Sequence, residues 1–379
     1  MERHVNLSRL TRVGSAVAIG ALALSLAACG SDDATGNGTG SGTSTEGAAA
    51  GGGNLSGELN GAGSSAQGSA MDAWRSGFQS ANSGVTVNYD PIGSGDGRKQ
   101  FLSGAVQYAG SDAYLTDDEI AQAKTTCQNG DVVELPVYIS PIAIAFNLKG
   151  VDSLNLDGPT VAKIFNGKIT KWDDPAIAKL NDGVKLPSTA ITPVHRSDDS
   201  GTTQNFTEWV KANGGADWPY EPSQTFPVKG GQSGAKTSGV VQTITGGEGT
   251  IGYIDSSQVG KLGTAKIKVG DTYVAHSAEG AAAAVGQSKI VSGRASSDIA
   301  IDIDRTLTDA STYPLVLVSY DIACTSYADA NQAALVKGFL SYVISDAGQQ
   351  SAASAAGSAP ISKDLATKAQ AAVDAIKVG

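Results

Sequence analysis

Apolar and polar residues follow two recurring arrangements along the chain. Short segments such as Val85–Tyr89 alternate apolar and polar residues and end in turns of Gly, Ser and Asp. Segments with apolar residues at i, i+3 and i+4, such as Phe206, Trp209 and Val210, follow the turns. The first pattern is typical of β-strands and the second of amphipathic helices. The repeated order of strand, turn and helix predicts an α/β protein.

Three of these strand–turn–helix units contain turns suited to binding an anion. They comprise residues 59–65, 92–97 and 195–202, and each offers Ser or Thr hydroxyls together with glycine. The first N–H groups of a helix have no partner within the helix, and the helix dipole favours negative charge at that end. Three such turns together predict one shared anion site.

The turns also contain charged residues that could take part in the site. Arg196 is the one fixed cation, and its two parallel N–H donors match a tetrahedral oxyanion, while Asp198 could hold the guanidinium in place. The alternative is an ordinary capped helix with a surface ion pair. A fourth small-residue turn, 108–115, carries the carboxylate of Asp112. That residue could instead cap a helix beginning near Thr116, or pair with a lysine.

Taken together, the four turns resemble those of the phosphate-binding lipoproteins of bacterial ABC-type phosphate importers, which belong to the type II periplasmic-binding-protein family. The similar segments are Gly61–Ser65, Ile92–Gly95, Gly110–Ala113, Arg196–Thr202, Ala162–Pro175, Gly249–Tyr253 and Tyr313–Leu315. They occur in consistent order over roughly residues 57–362, which is far more specific than any single glycine pattern. This chain has Ser65 and Ala66 where many members have Thr and Phe, and Asp96 where Gly is usual.

The resemblance implies a fold and a set of ligands. The fold is an α/β, two-lobed type II periplasmic-binding-protein fold with a two-crossing hinge and a ligand cleft between the lobes. The implied phosphate-binding residues are Ser64, Ser65, Ser94, Asp112, Arg196, Ser200, Gly201 and Thr202, with Asp198 supporting Arg196. The resemblance also implies high-affinity binding of inorganic phosphate, delivery to an ABC-type permease in the membrane, no cofactor, and a monomer.

The remaining apolar pattern predicts how the chain divides. After residue 54 there remain 325 residues, more than one core normally holds. The apolar runs Val132–Leu148 and Tyr313–Ala323 are expected to cross between lobes. We therefore expect residues 55–140 and 318–379 in the first lobe and 141–317 in the second. Two helical patterns, 335–343 and 365–376, are assigned to the first lobe.

The N-terminal region predicts export and lipidation. Residues 1–28 combine Arg3, Arg9 and Arg12 with an apolar run too short to span a membrane, as in a signal peptide. The run ends in Leu26–Gly30, which resembles a lipobox, so Cys29 is expected to be lipidated with palmitate. The alternative is simple cleavage with Cys29 incidental. Residues 29–54 are then a flexible tether, and the protein is anchored to the outer face of the cytoplasmic membrane.

Charge and cysteine content narrow the possible partners and environment. The net charge of −10 gives no basic face for nucleic acid, so no nucleic-acid partner is expected. An acidic protein must then bind an anion through local dipoles and one buried cation. Once Cys29 is lipidated, Cys127 and Cys324 remain as an even pair outside the cytoplasm, which favours a disulfide over two free buried thiols.

Little in the sequence indicates catalysis. His195 and His276 have no Cys or acidic cluster at metal-ligand spacing, and the chain has no Gly-x-Ser-x-Gly elbow or P-loop. We therefore expect no catalytic residue, no metal and no enzyme activity. Two alternatives stay open: the same fold could bind another tetrahedral oxyanion such as sulfate, or the protein could be a phosphate-ester hydrolase.

Overall fold

The computed structural model describes residues 55–379 of the 379-residue chain. The predicted signal peptide, Cys29 and the tether therefore lie outside the described residues. The strands are β1 Gly57–Gly63, β2 Val85–Asp90, β3 Tyr108–Ser111, β4 Val132–Asn147, β5 Ser153–Leu156, β6 Thr192–Arg196, β7 Gln232–Gly234, β8 Thr250–Asp255, β9 Gly263–Val269, β10 Thr272–Val274, β11 Lys289–Ile290, β12 Ile301–Asp302, β13 Val316–Cys324, β14 Ser326–Tyr327 and β15 Lys377–Val378.

Helices connect these strands, as the α/β prediction requires. They are α1 Gly68–Ala81, α2 Ser94–Leu102, α3 Asp117–Thr126, α4 Gly158–Phe165, α5 Pro175–Ala178, α6 Gly201–Asn213, α7 Lys236–Gly246, α8 Ala278–Gly286, α9 Ala330–Ile344, α10 Asp346–Ala356 and α11 Lys363–Asp374. The mixed α/β class is confirmed. None of the helices in residues 55–379 is long and apolar enough to cross a membrane.

Within residues 55–379, eleven strands form one curled sheet. Its main path runs β2-β1-β3-β13-β4-β8-β6-β7, and β9 joins β4, β5 and β10 beside it. The β2-β1-β3 strands are mutually parallel, and so are β8-β6-β7. Within each parallel set the carboxyl ends of the strands lie at the same edge of the sheet. Ligands of α/β proteins usually bind at that edge.

The long strand β4 joins the two parallel sets. Its residues 132–141 pair antiparallel with β13, whereas its residues 142–147 pair antiparallel with β8. We call β2, β1, β3, β13 and residues 132–141 of β4 the first half-sheet, and the remaining strands of the curled sheet the second half-sheet. The chain changes half-sheet at residues 141–142 and returns at Val316. The lobe boundaries given above stay predictions.

One segment beyond residue 290 contacts the first half-sheet, although the predicted boundaries assign it to the second lobe. Asp298 forms a parallel bridge with Glu134 on the outer edge of β4, and Ile299 N donates to Glu134 O at 3.0 Å. The Arg294 guanidinium lies against both carboxylates at 3.1 Å. This segment therefore covers the edge of the first half-sheet.

The amphipathic patterns that predicted the helices bury the expected faces. Met71, Trp74 and Phe78 of α1 are buried, and the Phe78 ring packs against Phe339 of α9 at 5.5 Å. Two helices are not marked by an apolar stripe of their own. Helix α2 begins at Ser94, within the Gly/Ser turn itself, and α10 has no apolar stripe comparable to those of its neighbours.

The structure confirms the disulfide between Cys127, at the end of α3, and Cys324, the last residue of β13. Both residues are buried, and 197 residues separate them along the chain. Closing a loop of this size removes conformations mainly from the unfolded chain and stabilises a protein by roughly 2–5 kcal/mol. The bond ties a helix of the first half-sheet to β13, whose other end leads back to the second half-sheet.

Candidate functional site

All predicted ligand positions lie at the carboxyl ends of strands β1, β2, β3 and β6. Ser64 and Ser65 follow β1, Ser94 opens the helix after β2, and Asp112 follows β3. Arg196 is the last residue of β6, and Ser200, Gly201 and Thr202 open α6. The curled sheet brings these ends together from both halves, and every member of the set is buried.

Glycines allow the first-half turns to pack closely. Gly63 has φ +148°, and a Cβ there would lie 1.9 Å from Gly110 O, so only glycine fits between β1 and β3. Ser64 N donates to the same Gly110 O at 2.8 Å, and Gly93 N donates to Gly63 O at 2.8 Å. The turns after β1, β2 and β3 therefore form one connected unit.

Asp112 lies at the centre of the hydrogen-bond network of the site. The Ser64 hydroxyl donates to Asp112 Oδ1 at 2.5 Å, and the Thr202 hydroxyl donates to Oδ2 at 3.1 Å. Asp112 N also donates to Ser94 Oγ at 3.1 Å. Burial raises the pKa of Asp112 above its ordinary value, although the Ser64 hydroxyl, Arg196 and other donors act in the opposite direction. One buried carboxylate thus contacts predicted ligands from both half-sheets.

The alternative in which Asp112 caps the following helix is wrong. Thr116 caps α3, since its hydroxyl accepts from Glu119 N at 3.2 Å. The Glu119 carboxylate in turn accepts from Thr116 N at 2.9 Å, which completes a capping box. Asp112 therefore does not cap α3.

Arg196 and Asp198 form the predicted pair, and the pair is not a surface ion pair. Arg196 Nε donates to Asp198 Oδ1 at 2.7 Å, and Nη2 donates to Oδ2. The Arg196 side chain is only 3% exposed. Burial alone would raise the pKa of Asp198, but the hydrogen bond and charge of Arg196 outweigh it and lower the pKa. Asp198 therefore fixes the guanidinium, as the sequence predicts for a supporting residue.

The N-terminus of α6 contacts the first half-sheet directly. Ser200 caps the helix, because its hydroxyl accepts from Thr203 N at 3.1 Å. A Cβ on Gly201 would lie 2.7 Å from Asp112 Cβ and 2.8 Å from Ser94 Oγ. Glycine at this position is therefore what lets the helix end approach the carboxylate. The helix end is capped as in the alternative interpretation, but it is buried against two other predicted ligands, Asp112 and Ser94.

Three further contacts join the turns of the two half-sheets. Ser65 Oγ lies 3.1 Å from Thr237 Oγ1 and accepts from Thr237 N at 3.0 Å. Gly95 N donates to Asp199 O at 3.1 Å, and the exposed Lys99 ammonium pairs with Asp199 at 2.9 Å. The structure is thus a closed arrangement in which the two sets of turns touch.

Sequence reasoning missed several residues around the site. Thr237 lies in the first turn of α7, after the short strand β7, and its signal was a further Gly/Ser-rich segment, 230–234, before a helix. Asn205 Nδ2 donates to Asp112 O at 2.7 Å. Arg98 is a second buried arginine near the site: its Nη1 donates to Ser111 Oγ and its Nε to Glu119. Its charge is therefore paired with the Glu119 carboxylate on α3.

Asp96 and Ala66, where this chain differs from the family that it resembles, affect only their local structure. Asp96 lies within α2 with its side chain 52% exposed and pairs with Lys99 at 3.0 Å, so the helix forms without glycine there. Ala66 is buried, and its N–H donates to Ser64 Oγ at 3.1 Å. The turn after β1 is thus held by a backbone donor.

His195 and His276 lie in structural environments. The His195 ring stacks on Phe226 at 4.5 Å, and its Nδ1 lies 2.9 Å from Arg196 O. Burial lowers the pKa of His276. Within residues 55–379, no group of three or more His, Cys, Asp or Glu side chains is placed to hold a metal ion.

Known proteins resemble the chain over most of its length. A family model described as the PBP superfamily domain matches residues 39–347. Phosphate-binding protein PstS 3 of Mycobacterium leprae is 34% identical over 97% of this chain and 100% of that protein. Phosphate-binding protein PstS 3 of Mycobacterium tuberculosis is 37% identical over the same shares.

Solved structures share the fold at lower identity. A high-affinity periplasmic phosphate-binding protein bound with phosphate, PfluDING, has a TM-score of 0.70 at 23% identity and covers 83% of this chain and 93% of its own. A phosphate-binding protein from Stenotrophomonas maltophilia has a TM-score of 0.63 at 20% identity, covering 83% and 94%. These similarities confirm the predicted fold class.

Proposed function

The chain belongs to the PstS phosphate-binding proteins of the PBP superfamily, and from that membership we propose that it binds inorganic phosphate outside the cytoplasm and delivers it to an ABC-type phosphate permease. The observation that carries the proposal is the contact of Asp112 with Ser64 from one half-sheet and Thr202 from the other. A single small ligand at this position would meet donors from both halves.

We assign the phosphate ligands to the predicted set. The hydroxyls of Ser65, Ser94 and Ser200, with the backbone N–H groups of Gly201 and Thr202, would donate to phosphate oxygens. The Ser64 and Thr202 hydroxyls, which donate to Asp112 in the structure, would turn to the phosphate oxygens when Asp112 accepts the phosphate proton. Arg196 would supply the positive charge, in an orientation held by Asp198. Asp112 would accept the proton that phosphate retains near neutral pH. The last contact distinguishes phosphate from sulfate, which has no proton to donate.

The lobes would close on the ligand. We propose that residues 55–140 and 318–379 form one lobe and residues 141–317 the other, with β4 and β13 as the connections. The contacts of Ser65 with Thr237 and of Gly95 with Asp199 support a closed state in which water is excluded. Closure would replace the water around the anion by fixed donors and would mark the loaded protein for the permease.

We propose binding without turnover. A hydrolase would need a hydroxyl activated by a base, or a metal-bound water. The Ser64 and Thr202 hydroxyls donate to Asp112, and His195 is stacked on Phe226 beside a carbonyl, so neither hydroxyl has a histidine as its base. Sulfate binding is disfavoured by the buried Asp112 carboxylate.

Titration calorimetry tests this function on a soluble form beginning near Gly51. Inorganic phosphate should bind with a stoichiometry of one, whereas sulfate and a phosphomonoester should bind at least a thousandfold more weakly, because only phosphate combines a proton for Asp112 with a compact shape. Incubation with the phosphomonoester should release no phosphate above the protein-free control. Steady release of phosphate would favour the hydrolase, and equal binding of sulfate would favour a general oxyanion receptor.

The location of the protein is part of the proposal. We propose that Cys29 carries the lipid, that residues 30–54 tether a monomeric domain, and that the protein lies at the outer face of the cytoplasmic membrane. The support is the lipobox-like sequence Leu26–Gly30 and the Gly/Ser-rich composition that follows it.

Cys29→Ser is expected to release the protein from the membrane while leaving phosphate affinity within about twofold of the original. The reason is that stable anchoring depends on the acyl chains, whereas the proposed ligands begin 35 residues later at Ser64. Fractionation of cells followed by immunoblotting measures the first effect, and calorimetry measures the second. A Ser31→Ala variant serves as the control for a nearby change. Membrane attachment that survives Cys29→Ser would contradict the lipid anchor.

A further inference from the structure

Asn205 on α6 connects the second half-sheet to the turn that contains Asp112. Its side chain is buried, and its Nδ2 donates to Asp112 O at 2.7 Å. The same Nδ2 donates to Gly201 O, one turn earlier in α6, at 2.9 Å. An amide nitrogen carries two hydrogens, so one holds the side chain to its own helix and the other reaches the first half-sheet. The hydrogen bond to Asp112 O exists only while the two sets of turns touch.

Arg305 fixes the orientation of this amide. Its Nη2 donates to Asn205 Oδ1 and, at 2.8 Å, to Glu208 Oε2. A guanidinium has only donors, so the Asn205 oxygen must face it and the NH₂ group must face the two carbonyls. In the opposite orientation the NH₂ group would face the guanidinium, and the oxygen would face two carbonyl oxygens. A charged neighbour therefore sets the direction of the Asn205 donor.

Arg305 also holds α6 to the connection between the half-sheets. Its side chain is only 6% exposed, and Nη1 donates to Pro314 O at 3.0 Å and to Val316 O at 2.6 Å. Val316 is the first residue of β13, where the chain returns to the first half-sheet. Glu208, three residues after Asn205 on α6, balances the charge of Arg305. The position of the Asn205 amide is thus fixed relative to the point where the chain changes half-sheet.

We propose that Asn205, oriented by Arg305, is a positioning residue that latches the closed state and thereby slows the release of bound phosphate. Its hydrogen bond goes to the main chain of Asp112, whereas the carboxylate oxygens accept from Ser64 and Thr202. The latch therefore acts on closure and leaves the phosphate ligands in place. Opening breaks this hydrogen bond before phosphate leaves, but the first encounter with phosphate does not require it. This inference rests on the proposed phosphate function.

Asn205→Ala tests the latch in the whole protein, solubilised in detergent. Calorimetry with inorganic phosphate gives the dissociation constant, and a chase of radiolabelled phosphate by unlabelled phosphate gives the dissociation rate. Release should become about tenfold faster and the dissociation constant should rise by the same factor, because the closed state loses a buried hydrogen bond. The association rate constant, which is the ratio of the two, should stay within about twofold. Unchanged release, or a loss of affinity that lies in association, overturns the proposal.

Asn181→Ala is the matched control. Asn181 is also buried, and its Nδ2 donates to the carbonyl four residues earlier, Ile177 O, and to Asn155 O, each at 2.9 Å. Its Oδ1 accepts from Asn155 N at 2.7 Å. These hydrogen bonds join β5 to the segment after α5 and do not reach the first half-sheet, so their loss should leave phosphate release within about twofold. Release accelerated as much as in Asn205→Ala would indicate a general loss of stability and would overturn the proposal.

Asn205→Ser stands in if Asn205→Ala does not fold. The serine hydroxyl can still bond within α6, to Gly201 O, but it is too short to reach Asp112 O. Phosphate release should therefore accelerate as in the alanine variant. Release at the original rate in a folded Asn205→Ser variant would equally overturn the latch.

Arg305→Lys tests the orientation of the amide, because lysine keeps the charge near Glu208 but lacks the parallel donors. Phosphate release should accelerate about threefold when Asn205 is present and not measurably in the Asn205→Ala background, since Arg305 acts through Asn205. Equal acceleration in both backgrounds would overturn the role given to Arg305. Absence of phosphate binding in the original protein would instead refute the proposed function.

Discussion

Asp112→Asn is expected to shrink the preference for phosphate over sulfate by on the order of 10³–10⁴-fold, mainly through a gain in sulfate binding. A buried carboxylate that faces sulfate meets an oxygen lone pair and no donor, which costs a few kcal/mol. The carboxylate is 3% exposed, so water cannot compensate for the missing donor. An asparagine can turn its NH₂ toward either anion and removes this penalty. Titration calorimetry of both anions on the variant measures the change.

Asp199→Asn is the control for Asp112→Asn. Asp199 belongs to the neighbouring turn and pairs with the exposed Lys99, so its loss should leave the preference between the anions within about threefold. If Asp112→Asn weakens phosphate while sulfate stays undetectable and the fold is intact, Asp112 is not the discriminating acceptor.

Arg196→Ala is expected to weaken phosphate binding by about 2–5 kcal/mol, which corresponds to roughly thirtyfold to several thousandfold. The variant loses the positive charge and also leaves the half-buried Asp198 carboxylate without its cation beside an anion. The phosphate affinity of Arg196→Lys should lie between those of the original protein and Arg196→Ala, because lysine keeps the charge but lacks the two parallel N–H donors. Calorimetry with phosphate gives the values.

Two controls separate the causes of that loss. The double variant Arg196→Ala/Asp198→Asn removes the orphaned carboxylate and should recover part of the affinity. Lys99→Ala removes a cation that is 64% exposed at the edge of the same turns, and should cost less than about fivefold. A loss below tenfold in Arg196→Ala would mean that helix dipoles and hydroxyls hold the ligand, or that another arginine supplies the charge.

The parts of the fold that sequence could predict are those encoded locally. Strand β2 alternates apolar and polar residues, and α6 repeats buried Phe206, Trp209 and Val210 on one face. The turns before the helices can be predicted from their Gly, Ser and Thr residues. The pairing of Arg196 with Asp198 is also local, because the two residues are only two positions apart. In such places the local pattern and the final packing agree.

What could not be predicted depends on contacts between distant parts of the chain. Thr237 meets Ser65 across 172 residues, and Gln67 meets Asp321 across 254 residues. The spacing of residues along the sequence does not indicate which distant residues form such pairs. The small-residue helix α10 was missed for another reason: its stability comes from packing against α1, where Trp74 Nε1 donates to Gly348 O at 2.8 Å, rather than from an apolar stripe of its own.

The central claim is that inorganic phosphate is held between the turns of the two half-sheets. A crystal structure of the protein with phosphate tests it most directly. The proposal predicts a tetrahedral anion with one oxygen at hydrogen-bond distance from an Asp112 carboxylate oxygen and others at that distance from Arg196 and the N–H groups of Gly201 and Thr202. Phosphate that is absent from these turns at saturating concentration, or bound elsewhere in the chain, would contradict the claim.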